Sequence, residues 1–184
     1  MIAPDPSNKL FKIATELVNH SSSNIFLTGK AGTGKTTFLR FIKEQCAKQS
    51  VVVAPTGVAA INAGGTTIHS FFQLPFSPFV PGTSNHNSQQ KEVTNKNSLV
   101  SRMRVNNEKR KIFQQLDLLI IDEVGRLELE GAGFFPSVKE MLQLDEYRNG
   151  TKLLLLVVRD SLYEQVLSFF GITKHRLVNK VSDI

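Results

Sequence analysis

One short loop carries the residues whose types and spacing point most directly to chemistry. The stretch "IFLTGKAGTGKTTF" spans residues 25–38, and Gly29 to Thr36 within it match the pattern G-x-x-x-x-G-K-S/T. Glycines let successive backbone N–H groups turn toward one anion, and a helix beginning near Lys35 adds the positive end of its dipole. Lys35 would supply a charge for the outer phosphates of a nucleotide, and Thr36 would offer a hydroxyl to Mg²⁺. The predicted nucleotide-binding residues are Gly29, Lys30, Ala31, Gly32, Thr33, Gly34, Lys35, Thr36 and Thr37.

Two acids at the end of an apolar segment supply the second half of a phosphate-handling site. In "LLIIDE", Asp122 falls where a buried strand would end, and the carboxyl ends of parallel strands are where α/β sheets hold their ligands. Asp122 is predicted to hold Mg²⁺ together with Thr36, and Glu123 to orient or deprotonate the attacking water. A chance glycine turn and a pair of merely solvated carboxylates are the alternatives. The presence of both motifs in one chain favours a site that binds and hydrolyses ATP or another nucleoside triphosphate.

Four apolar segments predict the strands that would position these motifs. They cover residues 24–28, 51–55, 116–122 and 152–158. None of them alternates with polar residues, which is typical of parallel strands covered on both faces. Apolar residues at helical spacing precede the first strand, follow the loop, and recur at 134–142 and beyond residue 161. We therefore expect an α/β fold, a three-layer sandwich with a mainly parallel sheet and helices on both faces.

Two helix ends carry recognisable capping signals. Ser7 is predicted to cap the first helix, because it follows a proline and precedes the apolar pattern. Ser161 and Glu164 have the spacing of a capping box, which would open a late helix that Gly171 closes.

The segment at about 75–111 interrupts the alternation of helix and strand. It is rich in Pro, Ser, Asn, Gln and Thr, and residues 91–111 contain seven basic and two acidic side chains. We interpret it as an insertion in a single domain that covers residues 1–184. Its charge predicts either a solvated face or contacts with a nucleic-acid backbone.

Composition limits the cellular setting and the class of partner. The chain of 184 residues has a formal net charge of +6 and one cysteine, so no internal disulfide can form. No apolar run approaches the roughly 20 residues of a membrane span, and the first residues lack the order of a signal peptide. These features predict a cytoplasmic or nucleoid-associated protein with no membrane partner, while the oligomeric state stays open.

Three stretches of the chain closely resemble the first motor domain of Pif-family DNA helicases, which are relatives of the RecD helicases. They are "IFLTGKAGTGKTTFLR", "VVVAPTGVAAINAGGTTIHSFFQLPF" and "RVNNEKRKIFQQLDLLIIDEV", and the likeness extends over residues 8–124. The middle stretch is the most specific, because nucleotide binding alone does not require it. The resemblance implies a fold of the P-loop NTPase (RecA-like) class and an ATPase linked to single-stranded DNA.

Residues of the middle stretch line the DNA track in that family. The resemblance therefore implies DNA contacts for Pro55, Thr56, Gly57 and His69. A structural histidine is an equal alternative for His69. The neighbouring Phe71 and Phe72 are predicted to be core residues rather than base-stacking ones.

The likeness changes after residue 124. Helicases of this family have a later strand that ends in Gly-Asp, whereas this chain has "LLLLVVRDSLYEQV". Residues 117–172 instead resemble small stand-alone P-loop nucleoside-triphosphatases, whose pattern places an arginine at that strand end. Arg159 is accordingly a candidate catalytic residue that would reach the γ-phosphate from within the same chain, and an exposed arginine paired with Asp160 or Glu128 is the alternative.

Three functions remain open at the level of sequence. The first is a Mg·ATPase of the helicase type, which we do not expect to unwind DNA alone because the cross-domain arginine of such motors is missing from this chain. The second is a nucleoside-triphosphatase with broad base tolerance and no DNA partner. The third is a nucleotide-binding switch with little turnover.

Overall fold

The computed structural model of the chain describes residues 8–30, 32–73, 111–112, 114–125, 129, 147 and 149–179. Several sequence predictions lie outside these residues, namely the loop residue Ala31, nearly all of the insertion at 75–111 and the helix at 134–142.

A single sheet forms the centre of the described structure. All strand pairings are parallel, and the order across the sheet is β3-β2-β4-β5-β1-β6. The strands are β1 (Asn24–Leu27), β2 (Ser50–Ala54), β3 (Thr66–Thr67), β4 (Leu118–Val124), β5 (Leu153–Val158) and β6 (His175–Val178). The predicted α/β fold with a mainly parallel sheet is confirmed.

The two central strands show why the sheet is parallel and covered. Every residue of β5 is buried, and in β4 only Glu123 is less than fully buried. Such continuous apolar runs need a hydrophobic layer on each side. The edge strands β3 and β6 were not predicted, because β3 has only two residues and β6 contains the exposed Arg176.

Helices of very different length connect the strands. They are α1 (Lys9–His20), α2 (Lys35–Gln45), α3 (Gly57–Asn62), α4 (Ile68–Phe72), a 3-10 turn (Asp160–Leu162) and α5 (Tyr163–Phe170). Within the part of the chain that the structure describes, none of the helices has the length and apolar character needed to cross a bilayer.

Three capping predictions can be compared with the structure. The predicted cap at Ser7 is wrong, because Asn8 caps α1: its side chain accepts a hydrogen bond of 3.0 Å from the backbone N–H of Phe11. The capping box at Ser161 is wrong, because Ser161 lies within the 3-10 turn and α5 begins two residues later without a side-chain cap. Gly171 ends α5 as predicted, in the left-handed conformation with φ of 65°.

The core consists of two apolar layers, one on each face of the sheet. Ile120 and Ile121 illustrate the arrangement, because successive side chains of a strand point to opposite faces and these two belong to different clusters. The cluster around Ile121 includes α5 and the predicted core residues Phe71 and Phe72, which are 4% and 6% exposed. The cluster around Ile120 includes residues of α1 and α2. The three predicted layers are therefore present.

Candidate nucleotide-binding site

A cleft of about 840 Å³ opens where β1, β2, β4 and β5 reach their carboxyl ends. Parallel α/β sheets bind ligands at this edge, because the loops that follow the strands meet there. The cleft brings together most of the predicted loop, both acids and Arg159. Its lining residues are Gly32, Gly34, Lys35, Thr36, Thr37, Pro55, Thr56, Ala59, Asn62, Asp122, Glu123, Gly125, Arg159 and Leu162.

The loop after β1 has the backbone conformation that its glycines permit. Gly32 and Gly34 have φ of 81° and 88°, which L-amino acids with a side chain rarely adopt. Gly34 is also the N-cap of α2, and its carbonyl accepts the hydrogen bond from Phe38 N–H at 2.9 Å. The helix N-terminus consequently lies directly beside the cleft, where its unpaired N–H groups favour an anion.

Lys35 is held inside the loop by backbone oxygens. Its Nζ donates hydrogen bonds to the carbonyls of Gly29 at 2.6 Å and of Lys30 at 2.9 Å. The Thr33 hydroxyl donates to the same Lys30 carbonyl at 2.9 Å. A positive charge is thereby placed in the cleft ahead of any ligand, which reduces the reorganisation that binding a phosphate would require.

Asp122 is the buried acid of the site. The residue is 9% exposed, and burial, followed by the negative charge of Glu123, raises the pKa of its carboxyl above the usual value. The ammonium of Lys35 acts in the opposite direction but does not cancel these effects. A carboxylate in such surroundings is short of positive charge, so it suits a cation in the cleft.

Removing the charge of Asp122 should therefore stabilise the fold. An acid with a raised pKa in the folded state binds its proton more tightly there, so its ionised form lowers stability at neutral pH and the loss is relieved as pH falls toward that pKa. We expect Asp122→Asn to raise the melting temperature at pH 7, without divalent cations, by about 2–4 °C, equivalent to ~1 kcal/mol in a domain of this size. The gain should shrink as pH is lowered.

Calorimetry of this variant beside Glu44→Gln, which removes an exposed charge, measures the effect. An unchanged or lower melting temperature would contradict it.

Glu123 and Arg159 form an ion pair across two neighbouring strands. The Nε of Arg159 donates to Oε1 of Glu123. The pairing follows from the register, because Val124 of β4 lies opposite Val158 of β5. The side chain of Arg159 is 72% exposed and that of Glu123 is 39% exposed. Sequence placed both residues at this edge, but their pairing with each other was not foreseen.

The residues assigned to a DNA track do not all lie together. Pro55 and Thr56 line the main cleft, and Thr56 also caps α3 by accepting a hydrogen bond of 3.2 Å from Ala59 N–H. Gly57 is the exposed first residue of α3. His69 is half-buried on α4 and is not among the residues that line the cleft.

A second, smaller cavity of about 160 Å³ lies behind the loop and was not predicted. Within the described chain, the Thr28 hydroxyl is a buried polar group that has no hydrogen-bond partner. The only sequence signal for it is a threonine placed between an apolar strand and the first loop glycine. The residues around the cavity are Asn8, Leu10, Phe11, Ala14, Leu27, Thr28, Gly29, Thr33, Gly34, Lys35, Phe38, Val178 and Asn179.

Among the residues that the structure describes, no group of three or more His, Cys, Asp or Glu side chains could hold a metal ion. The main cleft instead combines one buried carboxylate with the Thr36 side chain. Sites that bind Mg²⁺ through one or two protein ligands, and through substrate phosphates, have this sparse composition.

Comparison with known proteins places the chain beside one group of DNA helicases. The model of the PIF1-like helicase family matches residues 4–130. The ATP-dependent DNA helicase PIF7 of Trypanosoma brucei brucei is 37% identical over 123 residues, which are 66% of this chain and 11% of that protein. The chain thus spans about a tenth of the length of this curated relative.

Solved structures give the same picture for the fold. Pif1 helicase from Candida albicans matches 98% of this chain and 41% of its own chain with a TM-score of 0.63, and at 23% identity the likeness concerns the fold alone. Pif1 helicase from Bacteroides, in complex with ADP-AlF3 and ssDNA, is 27% identical. That match covers 97% of this chain and 43% of the Bacteroides chain, with a TM-score of 0.56.

Proposed function

The chain belongs to the PIF1-like helicase family, and on that premise we propose that it binds Mg·ATP, hydrolyses it and couples this activity to single-stranded DNA. The observation that carries the proposal is the meeting of Lys35, Asp122 and Glu123 in one cleft. The two motifs are nearly 90 residues apart in sequence, and phosphate transfer needs both at the same place.

The loop residues would bind the triphosphate. Backbone N–H groups of residues 32–36 and the α2 N-terminus would face the phosphates, and Thr37 lines the same wall. Lys35 would exchange its two loop carbonyls for phosphate oxygens, because a doubly charged oxyanion is the stronger acceptor. Since Lys30 contributes its carbonyl to this arrangement, the loop positions Lys35 before the nucleotide arrives.

Asp122 and Thr36 are the residues that would hold Mg²⁺. The fit rests on the charge deficit of the buried Asp122 carboxylate, which a divalent cation would remove. When bound, the ion supplies charge neutralisation for the β- and γ-phosphate oxygens. Thr36, the second residue of α2, lines the same cleft as this carboxylate.

Glu123 and Arg159 would act on the reacting atoms. Glu123 is half-exposed at the cleft, where its carboxylate would accept the proton of the water that attacks the γ-phosphate. Arg159 lies on the next strand end and would place its guanidinium against the γ-phosphate from within the same chain.

The small cavity behind the loop is the proposed place of the nucleobase. It joins the loop at Gly29 and Lys35, so a nucleotide with its phosphates in the main cleft would extend into it. The unpaired Thr28 hydroxyl offers one hydrogen bond there. The side-chain oxygen of Asn8 is already engaged in capping α1. Apart from these two residues, the polar lining that the described chain provides is limited to Thr33, Lys35 and Asn179, and the rest of the cavity wall is apolar or glycine. This composition favours weak selectivity between ATP and other nucleoside triphosphates.

Single-stranded DNA is the second proposed partner. The Bacteroides relative is described in complex with ssDNA, and Pro55, Thr56, Gly57 and His69 follow the motif that carries the resemblance. The basic segment at 91–111 would add contacts with the DNA backbone that weaken with salt, by a log–log slope of about −0.7 per phosphate.

One experiment separates the three candidate functions. Phosphate release is measured with ATP, GTP and CTP, each with and without oligo-dT, at low and moderate salt. DNA stimulation that declines with salt is expected. Equal turnover of all three nucleotides without any effect of DNA would instead identify a stand-alone nucleoside-triphosphatase. Tight nucleotide binding without phosphate release would identify a switch.

We further propose a single domain over residues 1–184, with the insertion at 75–111 and a cytoplasmic or nucleoid-associated location. One sheet whose strands extend from residue 24 to residue 178 supports the single domain. The likeness of residues 117–172 to stand-alone nucleoside-triphosphatases is a proposal of the same kind, and its support is the arginine at the end of β5.

A further inference from the structure

The ion pair between Arg159 and Glu123 occupies the two groups that the proposed reaction would need in other places. Arg159 Nε donates to Glu123 Oε1, and both side chains line the main cleft. A carboxylate oxygen that accepts a hydrogen bond from a guanidinium is less available to a water molecule. A guanidinium whose Nε is engaged by a carboxylate is likewise less available to a phosphate.

The strength of this pair decides whether a ligand can open it. With side chains 72% and 39% exposed, the pair belongs to the class of solvent-accessible ion pairs that contribute little to stability. A terminal phosphate presents three oxygens and up to two negative charges, and a guanidinium binds such a group through two parallel hydrogen bonds. The γ-phosphate is therefore the better partner, whereas a diphosphate ends short of it.

We propose that Arg159, before it contacts the γ-phosphate, restrains Glu123, and that the arriving γ-phosphate takes over its guanidinium. The inference rests on the proposed ATPase function and adds how hydrolysis would be regulated. Loss of the Arg159–Glu123 hydrogen bond would free Glu123 Oε1 only when a γ-phosphate, and hence a bond to hydrolyse, is present. In that step the water oxygen bonds to the γ-phosphorus, the bond to the bridging oxygen breaks with its electron pair passing to the diphosphate, and Glu123 takes the water proton.

The topology makes such an exchange a local movement. Arg159 follows β5 directly and precedes the 3-10 turn that begins at Asp160, so its backbone is fixed by the sheet. Glu123 lies at the irregularity in the β4–β5 register between Asp122 and Val124. Only the two long side chains need to change rotamer, while Asp122 keeps its buried place.

Nucleotide binding without turnover tests the proposal. Dissociation constants of ADP and of the non-hydrolysable imido analogue of ATP are measured with Mg²⁺ for the wild type, Glu123→Gln, Arg159→Ala and the double variant. Glu123→Gln weakens the pair, so it should tighten binding of the ATP analogue by about 3–5-fold, the range that an exposed pair of up to ~1 kcal/mol allows. Binding of ADP should tighten by less than about twofold. In the Arg159→Ala background the same change should have no effect on the analogue. Arg159→Lys, which keeps the charge without the fork, should retain part of the discrimination.

The outcomes distinguish this proposal from the function on which it rests. Equal tightening in both backgrounds would mean that Glu123 merely repels the phosphate, and it would overturn the restraint. No tightening in either background would overturn it as well, while nucleotide binding to the wild type would leave the ATPase proposal intact. If the wild type bound neither ADP nor the ATP analogue, the proposed function itself would be overturned.

Discussion

Replacing Lys35 with alanine is expected to lower phosphate release from ATP by about 10²–10³-fold, the range seen when one preorganised electrostatic group is removed from an active site. The ammonium is already held in the loop by two carbonyls, so triphosphate binding would require only that these two hydrogen bonds be exchanged for phosphate oxygens. The dissociation constant of ATP should rise as well, because the same charge attracts the bound triphosphate. Phosphate release at saturating ATP, together with a binding titration, measures both effects.

The matched control for Lys35→Ala is Lys30→Ala. Lys30 belongs to the same loop and carries the same charge, but its side chain is exposed and only its backbone carbonyl contacts Lys35. It should retain turnover within about twofold of the wild type. Equal losses in the two variants would show that the loop responds to net charge rather than to the position of Lys35, and unchanged turnover in Lys35→Ala would place hydrolysis outside this cleft.

The loop and the central strands could be predicted from sequence because their determinants are local. The glycines at 32 and 34 permit the backbone conformation that residues with a Cβ avoid. The apolar runs of β4 and β5 require cover on both faces whatever their neighbours are. These two local facts fix the sheet edge and therefore the location of Asp122.

The features that were missed depend on contacts between distant segments. The hydrogen bond between Arg159 and Glu123 joins residues 36 positions apart, and it follows from the β4–β5 register rather than from either local sequence. The strand β6 is defined by pairing with β1, although His175 and Arg176 have no strand-like apolar pattern. The smaller cavity next to Thr28 forms only because α1 and the end of β6 lie beside the loop.

The failed capping box at Ser161 has a local origin. Arg159 is the first residue after β5, and the chain turns at once through Asp160–Leu162 in a 3-10 conformation. The turn is closed by the hydrogen bond from Leu162 N–H to the Arg159 carbonyl at 2.9 Å. Buried Leu162 at the helix start then replaces the polar cap that the sequence spacing suggested.

Glu123→Gln is expected to lower the turnover number for ATP by about 10²–10⁴-fold, the contribution typical of a positioned general base. The amide keeps the size of the side chain and the place in β4 but cannot take the proton of the attacking water. Because the reaction step alone is affected, KM should not rise, and single-turnover phosphate release should slow by the same factor as steady-state release.

The contrast between Glu123 and Glu164 makes this expectation specific. Glu164 is an exposed residue of α5 and does not line the cleft, so Glu164→Gln should leave turnover within about twofold of the wild type. If Glu123→Gln instead kept its turnover number and lost affinity, the carboxylate would serve in binding rather than in proton transfer. The assignment of Glu123 as the base would then fail, whereas the roles of Lys35 and Asp122 would be unaffected, because they depend on the loop and on the buried end of β4.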